Sequence, residues 1–216
     1  MIRLLRDLTI NIIVYIIIGL AVALMLRTII GYTGFDYQYA FLAKKQDYIH
    51  NRVWLIAFYT HVFTSIFTLI AGFTQFSNHI QTYHRPVHRF MGRLYVIAVI
   101  FINVPAGFIM AIYANGLLPS KIAFMILDIL WFYFTLKGWQ AALNKKIALH
   151  RQWMIRSFAL TFSAITLRSW RMILEPFIQN ELSIYMMDAW LGFVPNLIFA
   201  ELWIRKAYLW KLIKKP

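Results

Sequence analysis

Along this chain, apolar stretches about twenty residues long alternate with short polar or basic segments, and about 20 apolar residues make a helix that crosses a bilayer core. Six stretches meet that length: 8–30, 53–77, 88–114, 119–143, 150–174 and 188–209. Helix breakers and caps punctuate them, among them Pro86 at the entry to the third and Asn115-Gly116 before Pro119-Ser120 ahead of the fourth. No linker-like or low-complexity segment intervenes. The pattern predicts an all-α polytopic membrane helix bundle of six transmembrane helices, forming one integral membrane domain over residues 1–216.

Two stretches need separate comment. The first, charge-free from Leu8 to Leu26 behind Arg3 and Arg6, is longer than a secretory h-region of about 7–15 residues and has no small-residue cleavage site after it. It reads as a retained span. The fifth has a charge-free centre of only eleven residues, Ser157 to Leu167, bracketed by Arg156 and Arg168. Such a helix cannot face lipid all round, so it is expected at the centre of the bundle. Ser157, Thr161, Ala164 and Arg168 fall on one face, small and polar enough for close packing.

Composition sharpens the class. The chain is 61% hydrophobic and 14% charged, whereas a soluble domain is typically about 45–50% apolar and about 25% charged. The net charge of +14 sits at the ends of apolar blocks, as in membrane anchoring, and no soluble basic module for nucleic acid is present. With the amino terminus inside, fifteen of the 22 Lys and Arg fall on the cytoplasmic side, which predicts both termini cytoplasmic. Trp54, Trp139, Trp153, Trp190 and Trp210 cluster toward span ends and are expected in interfacial belts. The absence of cysteine excludes disulfides, iron–sulfur clusters, thiolate zinc sites and c-type haem.

Spans two and three superpose on spans four and five. His61, Gly72 and His88-Arg89 fall opposite Asp128, Gly138 and His150-Arg151, which suggests a parallel two-helix repeat about an axis normal to the membrane. In that arrangement His88 and His150 become symmetry mates near the cytoplasmic side.

Three polar constellations carry candidate chemistry. The inner layer comprises His88, Arg89, Arg93, His150, Arg151 and Arg156, with Gln75 and Glu201 nearby. One reading places these side chains among lipid headgroups, where basic residues snorkel. The other makes His88 and His150 axial ligands of a haem iron, with the arginines paired to propionates. Zinc fits less well, since two ligands converge where about four are wanted. The outer layer comprises His61, Asp128, Arg168 and Arg171, with Asn196 in span six. It reads as an Asp128–Arg168 ion pair with His61 hydrogen-bonded beside it, or as a proton path or quinone site. The third is Glu201, placed to pair with Arg205 or with Arg156, or to take up protons.

The segments Gly72-Phe73-Thr74-Gln75-Phe76, His84-Arg85, His88-Arg89, Gly92-Arg93-Leu94-Tyr95-Val96 and His150-Arg151-Gln152-Trp153-Met154-Ile155-Arg156 through Leu167-Arg168, with His61, resemble the prokaryotic predicted-membrane-protein family called domain of unknown function 2306. The resemblance covers roughly residues 55–172. It implies a multi-pass protein of the bacterial cytoplasmic (inner) membrane and carries no assigned activity. A looser similarity, architectural only, is to six-helix transmembrane b-type cytochromes, in which histidines of spans three and five hold one haem and those of spans two and four another. His88 and His150 match the first pair. His61 matches half of the second, where Asp128 departs from the pattern.

These readings converge on a membrane electron-transfer protein with haem b on His88 and His150, working with quinone or a membrane redox partner; as an enzyme it would be a membrane oxidoreductase. The alternatives are a non-redox carrier or lipid-binding protein with a basic cytoplasmic layer, and a subunit of a membrane complex. The lipid bilayer is the partner common to all.

Overall fold

The computed structural model describes Ile16 and residues 19–213, without the side chains of Asn78 and 207–213. The described residues are helical, joined by turns, with no strand among them. Two compact units divide the chain, Met1–Ile49 and His50–Pro216.

In the first unit, α1 (Gly19–Gly34) is apolar and closes in a 3-10 turn at Tyr32–Gly34. The start of the first expected span, 8–15 with 17 and 18, lies outside the described residues. The Tyr32 ring meets Tyr39 edge-on at 5.0 Å, and its hydroxyl accepts from the Phe41 amide at 3.1 Å. Lys45 is buried, with its ammonium 5.6 Å from the Phe41 ring centroid and 5.1 Å from that of Tyr48.

The second unit holds the bundle. Its helices are α2 (Arg52–Gln75), α3 (Asn78–Tyr83), α4 (Arg85–Ile97), α5 (Val104–Ile112), α6 (Leu117–Leu143), α7 (Ile147–Thr161), α8 (Ser163–Leu174), α9 (Glu181–Leu191) and α10 (Val194–Ile213). Four helical stretches among the described residues are long and apolar enough to cross a membrane: Arg52–Gln75, Arg85–Ile112, Leu117–Leu143 and Glu181–Lys206. Their exposed flanks carry large apolar side chains such as Phe67, Phe101, Ile129 and Phe199, a surface suited to lipid. The fifth expected span runs as α7 and α8, broken at Phe162. The break frees the Ala159 carbonyl from its α-helical role, and Asn196 of α10 donates to it at 3.2 Å.

The third span is continuous but irregular. Between α4 and α5, residues Ala98–Asn103 form a π-helical turn, with the Val104 amide reaching back to Val99. Pro105 supplies the reason: without an N–H it cannot donate to the Phe101 carbonyl, so the ladder shifts by one residue. The Asn103 side chain donates to the Ala98 carbonyl at 3.1 Å and repairs part of the gap.

Packing makes a ring. The second span touches the third (α4 and α5), α5 touches α6, α6 touches α7, and α7 returns to α2. Consequently α2 stands opposite α6, and α4 opposite α7. α10 and α9 lie outside, against α7 and α6. The weakly apolar fifth span is thus enclosed by α2, α6 and α10. Glycines permit close approach at two matching points: a Cβ on Gly72 would run into the Phe158 ring, and one on Gly138 into Met154. Trp54, near the start of α2 behind the Asn51 cap, is fully buried and stacked on Phe58 at 5.5 Å. Trp153 likewise stacks on Phe134 within the bundle at 5.7 Å.

Candidate functional site

Each ring helix carries two inward polar residues seven positions apart, a spacing of two turns on one face. They are His61 and Thr68 on α2, His88 and Tyr95 on α4, Asp128 and Thr135 on α6, and His150 and Ser157 on α7. The second members, Thr68, Tyr95, Thr135 and Ser157, are all buried. Three of them build a central belt. The Tyr95 hydroxyl lies 2.8 Å from Ser157 Oγ and 2.6 Å from Thr161 Oγ1, Thr135 Oγ1 lies 2.7 Å from Ser157 Oγ, and Trp131 Nε1 donates to Thr161 Oγ1 at 3.1 Å. Thr68 bonds its own helix instead, donating to the Ser65 carbonyl at 2.7 Å. Sequence reasoning missed Tyr95, Trp131 and Thr135. For Tyr95 and Thr135 the signal was available in the seven-residue step from His88 and Asp128.

The belt fixes the rotation of α4 and α7, and with it the inner layer. Because Tyr95 and Ser157 meet, His88 and His150, two turns below on the same faces, are directed toward each other's helix. Both begin three residues into their helices, at one depth. His88 lies within electrostatic reach of His150. His150 Nδ1 is 2.8 Å from the Gly138 carbonyl oxygen. A carbonyl only accepts, so Nδ1 carries the proton and Nε2 keeps its lone pair. His88 Nδ1 is buried and has no hydrogen-bond partner among the described residues.

The arginines divide. Arg89, Arg93 and Arg151 are exposed beside the two histidines. Arg156 is engaged elsewhere: it makes a two-pronged ion pair with Glu201 of α10, with Nη2 to Oε2 at 3.0 Å, and its guanidinium lies 4.8 Å from the Trp153 ring centroid. Glu201 thus takes Arg156, from the neighbouring helix, as its salt-bridge partner.

The outer layer differs from expectation. Asp128 is 4% exposed and joins no described residue by ion pair or hydrogen bond. Arg168 is exposed and donates to the Ala164 carbonyl, so the expected Asp128–Arg168 pair is absent. Arg171 points to the outer end of α9, bonding Glu175 at 3.0 Å and lying 3.5 Å from Glu181 and 3.9 Å from buried Asp188. Depth along a helix does not specify rotation about it, and rotation decided both cases. Asn196 is drawn to the α7–α8 break, where it also donates to Thr166 at 2.9 Å.

His61 and Asp128 instead share a wall, the third span just beyond its π turn. His61 Nδ1 is 3.2 Å from the Asn103 carbonyl oxygen, which makes it the donor, and Thr64 donates to the Asn103 side-chain oxygen at 3.0 Å. Asp128 lies against Gly107, where a Cβ would fall 2.9 Å from both carboxylate oxygens. Asn103 was not singled out from the sequence, although a lone amide two residues before a proline in an apolar run is a visible mark. Among the described residues no group of three or more His, Cys, Asp or Glu is arranged to hold a metal ion.

The sequence pattern of a family described as Predicted membrane protein (DUF2306) matches residues 58–204. The chain belongs to that family. The matched stretch spans the ring and both polar layers, from before His61 to beyond Glu201, so these layers lie within the part this family member shares with its relatives. No curated protein and no solved structure matches the chain.

Proposed function

We propose that this DUF2306 protein is a membrane electron-transfer protein that holds one haem b between His88 and His150. The observation that carries the reading is the pair of imidazoles at one depth on opposed helices, with His150 Nδ1–H bound to the Gly138 carbonyl at 2.8 Å and Nε2 left for iron. Metal-ligating histidines ordinarily donate their other ring N–H to such an acceptor. His88, with a buried and unsatisfied Nδ1, is poised for a group that would organise its ring. A bound haem would supply one-electron carriage. Arg89, Arg93 and Arg151 would neutralise its propionates, and Arg156, committed to Glu201, would hold α7 against α10.

This reading includes six spans, with α1 as the first and α7–α8 as the fifth, both termini cytoplasmic, in a bacterial inner membrane. The excess of basic residues at one set of span ends supports that orientation. The test is spectral. Protein purified from haem-replete cells should show a Soret band that His88→Ala and His150→Ala each abolish. A colourless, folded preparation would sink the proposal.

The exposure of Arg89, Arg93 and Arg151 favours a second reading, a lipid-binding or carrier protein that recognises an anionic headgroup without redox chemistry. In that case phenylalanine at both His88 and His150 leaves anionic-lipid retention intact, and glutamine at the three arginines removes it.

A further inference from the structure

We infer that the outer layer is a second ligand site, built to bind the ring of a quinone or quinol between His61 and Asp128. The two groups converge on one turn of the third span, from Asn103 at the end of the π turn to Gly107 in α5. In an α-helix the carbonyl of residue 103 is aimed at the N–H of residue 107, so a ring bound to the Asn103 carbonyl stands beside Gly107. Asp128 occupies the space that a side chain at residue 107 would fill. Imidazole and carboxyl thus flank Gly107 from the opposed helices α2 and α6.

Two features of this pair point to a ligand. Asp128, 4% exposed, has no partner among the described residues, although a buried carboxylate ordinarily finds one. His61, fixed through Nδ1, presents Nε2 with a free lone pair and no hydrogen bond to a described residue. The Asn103 side chain is itself tied down, donating one N–H to the Ala98 carbonyl and accepting from Thr64 at its oxygen.

The chemistry selects the class. Imidazole and carboxyl each accept from a hydroxyl when deprotonated and donate to a carbonyl when protonated. They therefore recognise both a quinol and the quinone it becomes, whereas a guanidinium recognises only the carbonyl form. The site lies far from either helix end, eleven residues into α6 for Asp128, where a lipid-soluble ligand is at home. The inference extends the electron-transfer reading by naming a redox partner of that layer, and its test uses no haem.

The full chain in lipid nanodiscs, without added haem, is titrated with a short-chain benzoquinone and with its quinol, followed by tryptophan quenching and equilibrium dialysis. Saturable binding of both forms is expected, weakened about tenfold or more by Asp128→Asn, by His61→Ala and by Gly107→Ala, the last by filling the space of the carboxylate. Asp128→Asn keeps size and shape, so it decides the matter if Gly107→Ala alters the helix content seen by circular dichroism. No saturable binding, or binding that all three variants leave unchanged, overturns the proposal. The Soret assay reads only the inner layer, so either result can fail while the other stands.

Discussion

The two hairpins of the ring, α2 with α4–α5 and α6 with α7, place polar residues at the same two levels but are closed very differently. The second turns in three residues, Asn144 to Lys146, and both its helices are regular through the layers. The first interposes α3 between its helices and carries a π turn before its outer end. Their polar residues differ in a complementary way. Tyr95 is long where Ser157 is short, so the two span the axis, and two tyrosines there would collide. His61 faces Asp128 across the ring, so the outer layer pairs a base with an acid, while the inner layer pairs two histidines. The outer level thus sets unlike groups against each other where the inner level sets like ones.

The belt tests how far the halves depend on each other. Tyr95→Ala should cost about 3–5 kcal/mol, because it leaves a cavity and strips partners from Ser157, Thr161 and Trp131. Tyr95→Phe, which keeps the ring, should cost about 1–2 kcal/mol. Thermal unfolding in detergent measures both, and equal losses would mean that packing alone, without the hydroxyl, joins the halves.

The matched glycines probe the asymmetry directly. Gly72→Ala drives a methyl into the Phe158 ring, itself held among Phe73, Phe76 and Phe162, and should cost about 1–3 kcal/mol. Gly138→Ala meets the end of Met154, a flexible side chain that can turn away, and should cost less than about 1 kcal/mol. Equal costs would erase the distinction between a rigid and a yielding contact. An effect of similar size is expected at the helix starts. Asn51 caps α2 by accepting from the Val53 and Trp54 amides, and Asn51→Ala should cost about 1 kcal/mol, read as a lower melting temperature. α6 has no side-chain cap to lose, since Gly116 precedes it at φ +83°.

Hydropathy made much of this fold legible. The extents of α2, of the third span and of α6 follow from apolar length, and the enclosure of α7 follows from its short charge-free centre. The matched residues His61, Gly72 and His88 against Asp128, Gly138 and His150 were readable by superposing the two halves. Side-chain partnerships were less so. Arg168 stood at a depth compatible with Asp128, yet it turns outward, and an apolar run gives little information about rotation. Tyr95 passed unnoticed because a tyrosine in a membrane helix is ordinarily an interfacial residue. Its role depends on meeting Ser157 and Thr161, sixty-two and sixty-six residues away.

The π turn at Ala98–Asn103 has a consequence for descent as well as for shape. An i→i+5 turn holds one residue more than an α-turn, and each residue swings a helix by about 100°. Losing a single residue there would let the α-helical ladder close without the wide turn, leaving His88 and Gly107 about 18 α-helical steps apart and still aimed at the same neighbours. The wide turn is thus the place where the third span can gain or lose one residue of length without disturbing either level.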